Sequence, residues 1–150
     1  MKGNFKQNYI ITHADVMSRI LFLYARLNPG VMYVQGMNEV LATLYYCFFE
    51  STRLYLDYFE SDLFFCFTRV MSDLRDGFIR TMDSEETGIN GKIRRFCTVF
   101  KQIDRPLFEH IEAQNVQANF YSLRWLMLMM SQEFELLNVI KVWDTLLADS

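Results

Sequence analysis

Apolar side chains recur along this chain at spacings of three and four, the period of a helix that buries one stripe. Val16, Ile20, Tyr24 and Leu27 form the first stripe, widened by Leu21 and Leu23. Thr12 with Asp15 three residues on fits a capping box at its start, and Pro29-Gly30 ends it. Met37, Val40, Leu41, Leu44, Tyr45 and Phe48 make the second stripe. Tyr46, Cys47 and Phe49 leave that segment apolar nearly all round, so it is expected at the centre of the bundle. Asp57, Glu60 and Asp62 bracket a third start, with Ser61 as its cap and Leu63, Phe64, Phe67, Val70, Met71 and Leu74 as its face.

The stretch from Thr81 to Gly91 has three acids, two glycines and no sustained period, and is expected to be a loop. A helix resumes through Ile93, Phe96, Val99, Phe100 and Ile103; Pro106 interrupts it before Leu107, Phe108 and Ile111. Asn119 is the expected cap of a helix carrying Phe120, Leu123, Leu126, Met127 and Met130, with Trp125 and Leu128 beside them. A break over Glu133 to Asn138 precedes a last helix through Val139, Ile140, Trp143, Leu146 and Leu147. No period-two alternation competes. The expected fold is all-α, with several helices and both ends cut from something larger.

At 150 residues and 51% hydrophobic, the chain can bury a sizeable core. A net charge of -3 gives no reason to expect a nucleic-acid partner. Cys47, Cys66 and Cys97 are odd in number and scattered, which points to buried reduced thiols rather than disulfides or a zinc site. The N-terminus lacks an apolar signal region. The longest uncharged apolar run, Val40 to Phe49, falls short of the roughly 18 residues that a spanning helix needs. No transmembrane segment is expected, and a cytoplasmic location is the reading that results.

Between the first two stripes lies Tyr33-Val34-Gln35-Gly36-Met37-Asn38-Glu39. Gln35 on a turn beside a glycine presents an amide that can orient a water or a leaving group but cannot serve as acid or base. Its alternative is a plain helix-start cap. His13 and His110 have no acid or nucleophile at a telling spacing and read as ordinary surface or helix-end histidines. Met127 to Met130 read as core packing. Aromatics among Tyr45, Tyr46, Phe48, Phe49, Tyr55, Tyr58 and Phe59 are candidates for exposure.

The Tyr-x-Gln-Gly of residues 33–36, continued by Met37, Asn38 and Glu39, resembles the motif of the TBC domain, found in GTPase-activating proteins for Rab-family small GTPases. Asp15, Arg19, Ile20, Leu21, Tyr24, Ala25, Leu27 and Asn28-Pro29-Gly30 resemble that family's lead-in helix. Arg124-Trp125, Glu133-Phe134 and Trp143-Asp144 resemble its later motifs, in the same order. The resemblance runs from about Thr12 to Asp149, so residues 1–11 are expected to lie outside a partial TBC domain of residues 12–150.

The resemblance implies a Rab-family partner in its GTP-bound state, whose GTP and Mg²⁺ make any cofactor of the chain's own unnecessary. It implies at most peripheral association with endomembranes, through that partner. It makes Gln35 a catalytic glutamine that orients water, with Tyr33 and Gly36 fixing its turn. Asn38 and Glu39 are expected to bond neighbouring helices rather than touch nucleotide. Arg124 beside Trp125 is expected to pair with Glu133 or another acid inside the domain, its alternative being direct contact with the Rab. The family's second catalytic group, an arginine in Ile-x-x-Asp-x-x-Arg, has no match upstream of Thr12; Ile11, Asp15 and Arg19 have the wrong spacing. Such an arginine is worth about 10³ to 10⁵ in rate. The chain itself is therefore expected to be no enzyme and a weak or inactive activator. The alternative is a catalytically impaired Rab-binding or scaffold module. A hydrolase of another class finds no G-x-S-x-G and no Cys-His arrangement.

Overall fold

The computed structural model describes residues 11–51, 56–78 and 88–148. Residues 1–10 of the expected N-terminal segment, most of the expected loop at 81–91 and Tyr55 lie outside them. Among the described residues there are seven α-helices and no strand. They are α1 (His13–Leu27), α2 (Met37–Ser51), α3 (Phe59–Leu74), α4 (Ile89–Ile103), α5 (Arg105–Ala113), α6 (Asn119–Leu128) and α7 (Leu136–Ala148). Short 3₁₀ turns precede and follow α3, at Leu56–Tyr58 and Arg75–Phe78.

α1 begins as its sequence requires. The Thr12 hydroxyl accepts from the Asp15 amide at 3.2 Å, and the Asp15 carboxylate accepts from the Thr12 amide at 2.8 Å. Those bonds hold the Asp15 carboxyl below its ordinary pKa. The helix buries Ile20 and Tyr24, but Leu23 and Leu27 stay exposed, because the apolar stripe is wider than the face α2 and α3 cover.

α2 is the central element. It packs against α1, α3, α6 and α7, and Met37, Val40 and Leu41 lose all solvent exposure. Each such side chain stabilises the fold by about 1.5–3 kcal/mol relative to exposure. Leu63, Phe67, Val70, Met71 and Leu74 of α3 complete the main core with Val139 and Trp143 of α7. α4 packs on α5 and α6. Asp104 caps α5, its carboxylate accepting from the Leu107 amide at 3.1 Å, and Pro106 sits in the first turn, where no amide is needed.

Several expected boundaries move. Ser61 is not a cap: it lies inside the first turn of α3 and donates to the Tyr58 carbonyl at 2.8 Å. Asn119 opens α6 behind Ala118, which provides no side-chain cap. Ile89 to Gly91 are helical, with Ile89 and Gly91 buried, so the loop expected up to Gly91 ends before α4. The break expected at Glu133 to Asn138 starts earlier, at Met129, and α7 is already under way at Leu136. Phe120 and Leu123 face solvent, while Ser122 and Leu128 are the buried residues of α6. Phe59, expected among the exposed aromatics, is buried; Tyr58 beside it is 70% exposed. No helix among the described residues is long and apolar enough to cross a membrane.

Candidate functional site

The α1–α2 connection is built from its own backbone. The Asn28 side-chain amide and backbone amide both donate to the Tyr24 carbonyl, at 2.9 and 3.0 Å, closing α1. The amides of Val31 and Met32 then bond the Asn28 carbonyl, and Met32 takes φ 60°. The chain straightens through Tyr33 and Val34 and turns again at Gly36, whose φ is 106°. A side chain there would be strained by conformation alone. It would also collide: a Cβ on Gly36 would sit 2.8 Å from Leu128 Cδ2. The conformation calls for glycine here, and a larger residue would also have to displace the end of the Leu128 side chain.

Asn38 ties the turn together. Its Oδ1 accepts from the Gly36 amide at 3.2 Å and from the Tyr33 hydroxyl at 3.3 Å, and its Nδ2 donates to Glu39 Oε1 at 3.0 Å. The bonds expected from Asn38 and Glu39 to neighbouring helices instead stay within the turn, because the first turn of α2 places Asn38 directly over the Gly36 amide. Gln35 is exposed, and its side chain makes no hydrogen bond among the described residues. It stands in an open cleft of about 570 Å³ lined by Tyr33, Gln35, Gly36, Asn38 and Glu39 on one side. Leu128 and Gln132, from the end of α6 and the turn after it, form the other wall.

The opposite wall has its own strain. Met129 and Met130 adopt φ 49° and 60°, two successive left-handed residues without glycine, a conformation costing about 1–3 kcal/mol each. The surroundings hold them there. Trp143 Nε1 donates to the Met129 carbonyl at 2.8 Å, the Met130 amide to the Trp125 carbonyl at 3.3 Å, and the Ser131 amide to the Leu128 carbonyl at 3.0 Å. Leu128 and Gln132 left no mark in the sequence pattern as site residues, since nothing about two methionines announces a turn.

Arg124 and Trp125 do not line the cleft. Arg124 Nη2 lies 3.0 Å from Glu133 Oε1, an ion pair held by charge rather than by an aligned hydrogen bond, since that buried oxygen has no hydrogen-bond partner. Trp125 packs its ring against Phe96 and Tyr121. Arg19 is committed elsewhere, donating to both oxygens of Glu60 at 2.8 and 2.9 Å.

His13, read as an ordinary surface histidine, joins α1 to α2: its Nδ1 shares a hydrogen bond with the Tyr45 hydroxyl, and its ring meets Tyr45 and Phe49 edge-on. The expectation of three buried thiols holds only in part. Cys47 and Cys97 are half-buried, and desolvation raises their pKa values, whereas Cys66 is exposed.

Residues 4–150 match the family model of the Rab-GTPase-TBC domain. TBC1 domain family member 13 of Homo sapiens is 44% identical over 138 residues, 91% of this chain and 34% of that protein. A TBC domain-containing protein of Schizosaccharomyces pombe is 41% identical over 146 residues, 95% of this chain and 23% of that protein. The chain thus spans about a third or less of these relatives, by the 34% and 23% figures. The crystal structure of the Ypt/Rab-GAP domain of Gyp1p superposes with a TM-score of 0.73 at 23% identity, over 90% of this chain and 47% of that one, and shows the same fold.

These likenesses overturn the expectation of no enzyme and a weak or inactive activator. That expectation took the positive charge to come from one upstream motif and counted its loss. Similarity across nearly the whole chain to this family gives no ground for an expected loss of activity. The chain belongs to the Rab-GTPase-TBC domain family.

Proposed function

We propose that this chain accelerates GTP hydrolysis by a Rab-family small GTPase in its GTP-bound state, with Gln35 entering the partner's nucleotide site to orient the attacking water. One observation carries the reading: Gln35 is the exposed, unengaged amide on a turn whose neighbouring polar groups are tied to one another. An amide donates and accepts but carries no transferable proton at neutral pH, so its contribution is alignment. Tyr33 and Asn38 hold the turn, Gly36 allows it, and Glu39 anchors Asn38. GTP and Mg²⁺ come with the partner.

Transfer of a phosphoryl group also calls for a cation near the developing charge. The cleft lining among the described residues includes no arginine or lysine, and Arg19 and Arg124 are engaged by Glu60 and Glu133. In this reading the cation reaches the nucleotide from outside that lining, and Gln35 supplies the geometry.

Binding to Rabs loaded with GDP and aluminium fluoride, which copies the phosphoryl group in transfer, tests the proposal. Transition-state mimics bind about 10²-fold or more tighter than ground states when an enzyme is built for the transition state. Tightest binding is expected to that form, with the preference lost in Gln35→Ala. Equal binding to GTP-, GDP- and fluoride-loaded forms, unchanged by Gln35→Ala, would make this surface a docking module without catalysis.

A further inference from the structure

The later motifs Arg124-Trp125, Glu133-Phe134 and Trp143-Asp144 lie outside the Gln35 cleft, yet the Trp143 side chain and the Trp125 carbonyl bond the turn that forms one of its walls. Leu128 ends α6, is 7% exposed, and lies under Gly36 so closely that a single added carbon would sit 2.8 Å from its Cδ2 and 3.7 Å from its Cδ1. The Leu128 side chain therefore fills the space next to the backbone that aims Gln35. Two left-handed residues, Met129 and Met130, set the place of that side chain at the end of its helix. Their geometry depends in turn on the Trp143 Nε1 bond to the Met129 carbonyl. Trp143 is itself buried in the core by α7. The same turn carries Gln132 into the cleft lining, and the Arg124–Glu133 pair ties α6 to it.

We infer that Leu128 is a positioning residue for Gln35, held in register by the Trp143–Met129 hydrogen bond, so that α7 sets the aim of a turn between α1 and α2. The inference rests on the Gln35 reading above. Leu128 touches no nucleotide; it acts by denying the turn a second resting place.

The test is single-turnover GTP hydrolysis on a GTP-loaded Rab, measured across chain concentrations for Leu128→Ala, Leu128→Met, Trp143→Phe, Gln35→Ala and the Gln35→Ala/Leu128→Ala pair. Far-ultraviolet circular dichroism checks that each variant is folded. A misplacement of about 1 Å can cost about 10²-fold in rate, so Leu128→Ala and Trp143→Phe are expected to lower the maximal rate by about 10- to 100-fold. The half-saturating concentration should stay within about twofold, since binding is not what is lost. Leu128→Met, which keeps the volume, should restore most of the rate. In the Gln35→Ala background Leu128→Ala should have no further effect. A Leu128→Ala loss that persists there, a folded Trp143→Phe or Leu128→Ala at full rate, or a change confined to half-saturation overturns this inference and leaves the glutamine reading standing. A wild-type chain that accelerates no Rab, or a Gln35→Ala chain as fast as wild type, removes the glutamine reading and this inference with it.

Discussion

Replacing Gln35 by alanine is expected to slow the GTP hydrolysis that this chain stimulates in a Rab by about 10²-fold, the effect of losing a group that aligns a reactant within about 1 Å. That equals roughly 2.7 kcal/mol of transition-state stabilisation. Stability should not change with it. The Gln35 side chain is exposed and makes no hydrogen bond among the described residues, and surface substitutions of that kind stay within about 0.5 kcal/mol. Gln35→Asn sharpens the result. It keeps the amide but is one methylene short, so an alignment role predicts a loss close to that of alanine, and a role as a generic polar contact predicts recovery. Thermal unfolding of each variant beside single-turnover hydrolysis separates the two quantities.

The second large effect is on stability as well as rate. Gly36→Ala places a side chain at φ 106° and drives its Cβ to 2.8 Å from Leu128 Cδ2. The left-handed conformation alone costs an L-residue about 1–2 kcal/mol, and overpacking adds about 1–3 kcal/mol. The neighbour that must yield is a flexible side-chain end, so relief comes by displacing Leu128 or by lifting the turn. A loss of about 2–5 kcal/mol is expected, a fall in Tm of roughly 4 to 20 °C for a chain of this size. Hydrolysis should drop even at temperatures where the variant is fully folded, because either relief re-aims Gln35. An unchanged Tm with an unchanged rate would show that the turn is not under the constraint the 2.8 Å approach implies.

How far the sequence showed this depends on which force shaped each segment. α1, α2 and α3 were legible because burial of a periodic stripe decides them, and Thr12 with Asp15 marks the start of α1 chemically. Pro106 was legible as an interruption because a missing amide has only a few places to go. The turn at Gln35-Gly36 was visible through its glycine. Its support was not: a sequence shows a glycine in the turn, never that Leu128, about ninety residues on, lies against it.

The end of α6 failed for a related reason. Met129 and Met130 are good helix formers, and their left-handed geometry is held by Trp143 reaching back to the Met129 carbonyl together with the backbone bonds of Met130 and Ser131. Tertiary bonding overrode local preference, so the break begins upstream of where the pattern puts it. Asn38 was misplaced because an asparagine at the start of a helix can bond sideways or backwards, and only the fold of residues 33–36 selects backwards. The exposure of Phe120 and Leu123 shows the converse, apolar residues at helical spacing on a face that no neighbouring helix covers among the described residues.

Phosphate release from a panel of GTP-loaded Rabs under single-turnover conditions, with and without this chain and its Gln35→Ala form, tests the central claim most directly. Acceleration of at least one Rab by the wild-type chain is expected, with most of that acceleration lost in Gln35→Ala. Hydrolysis left at its intrinsic rate on every Rab, or equal acceleration by the two forms, would contradict it.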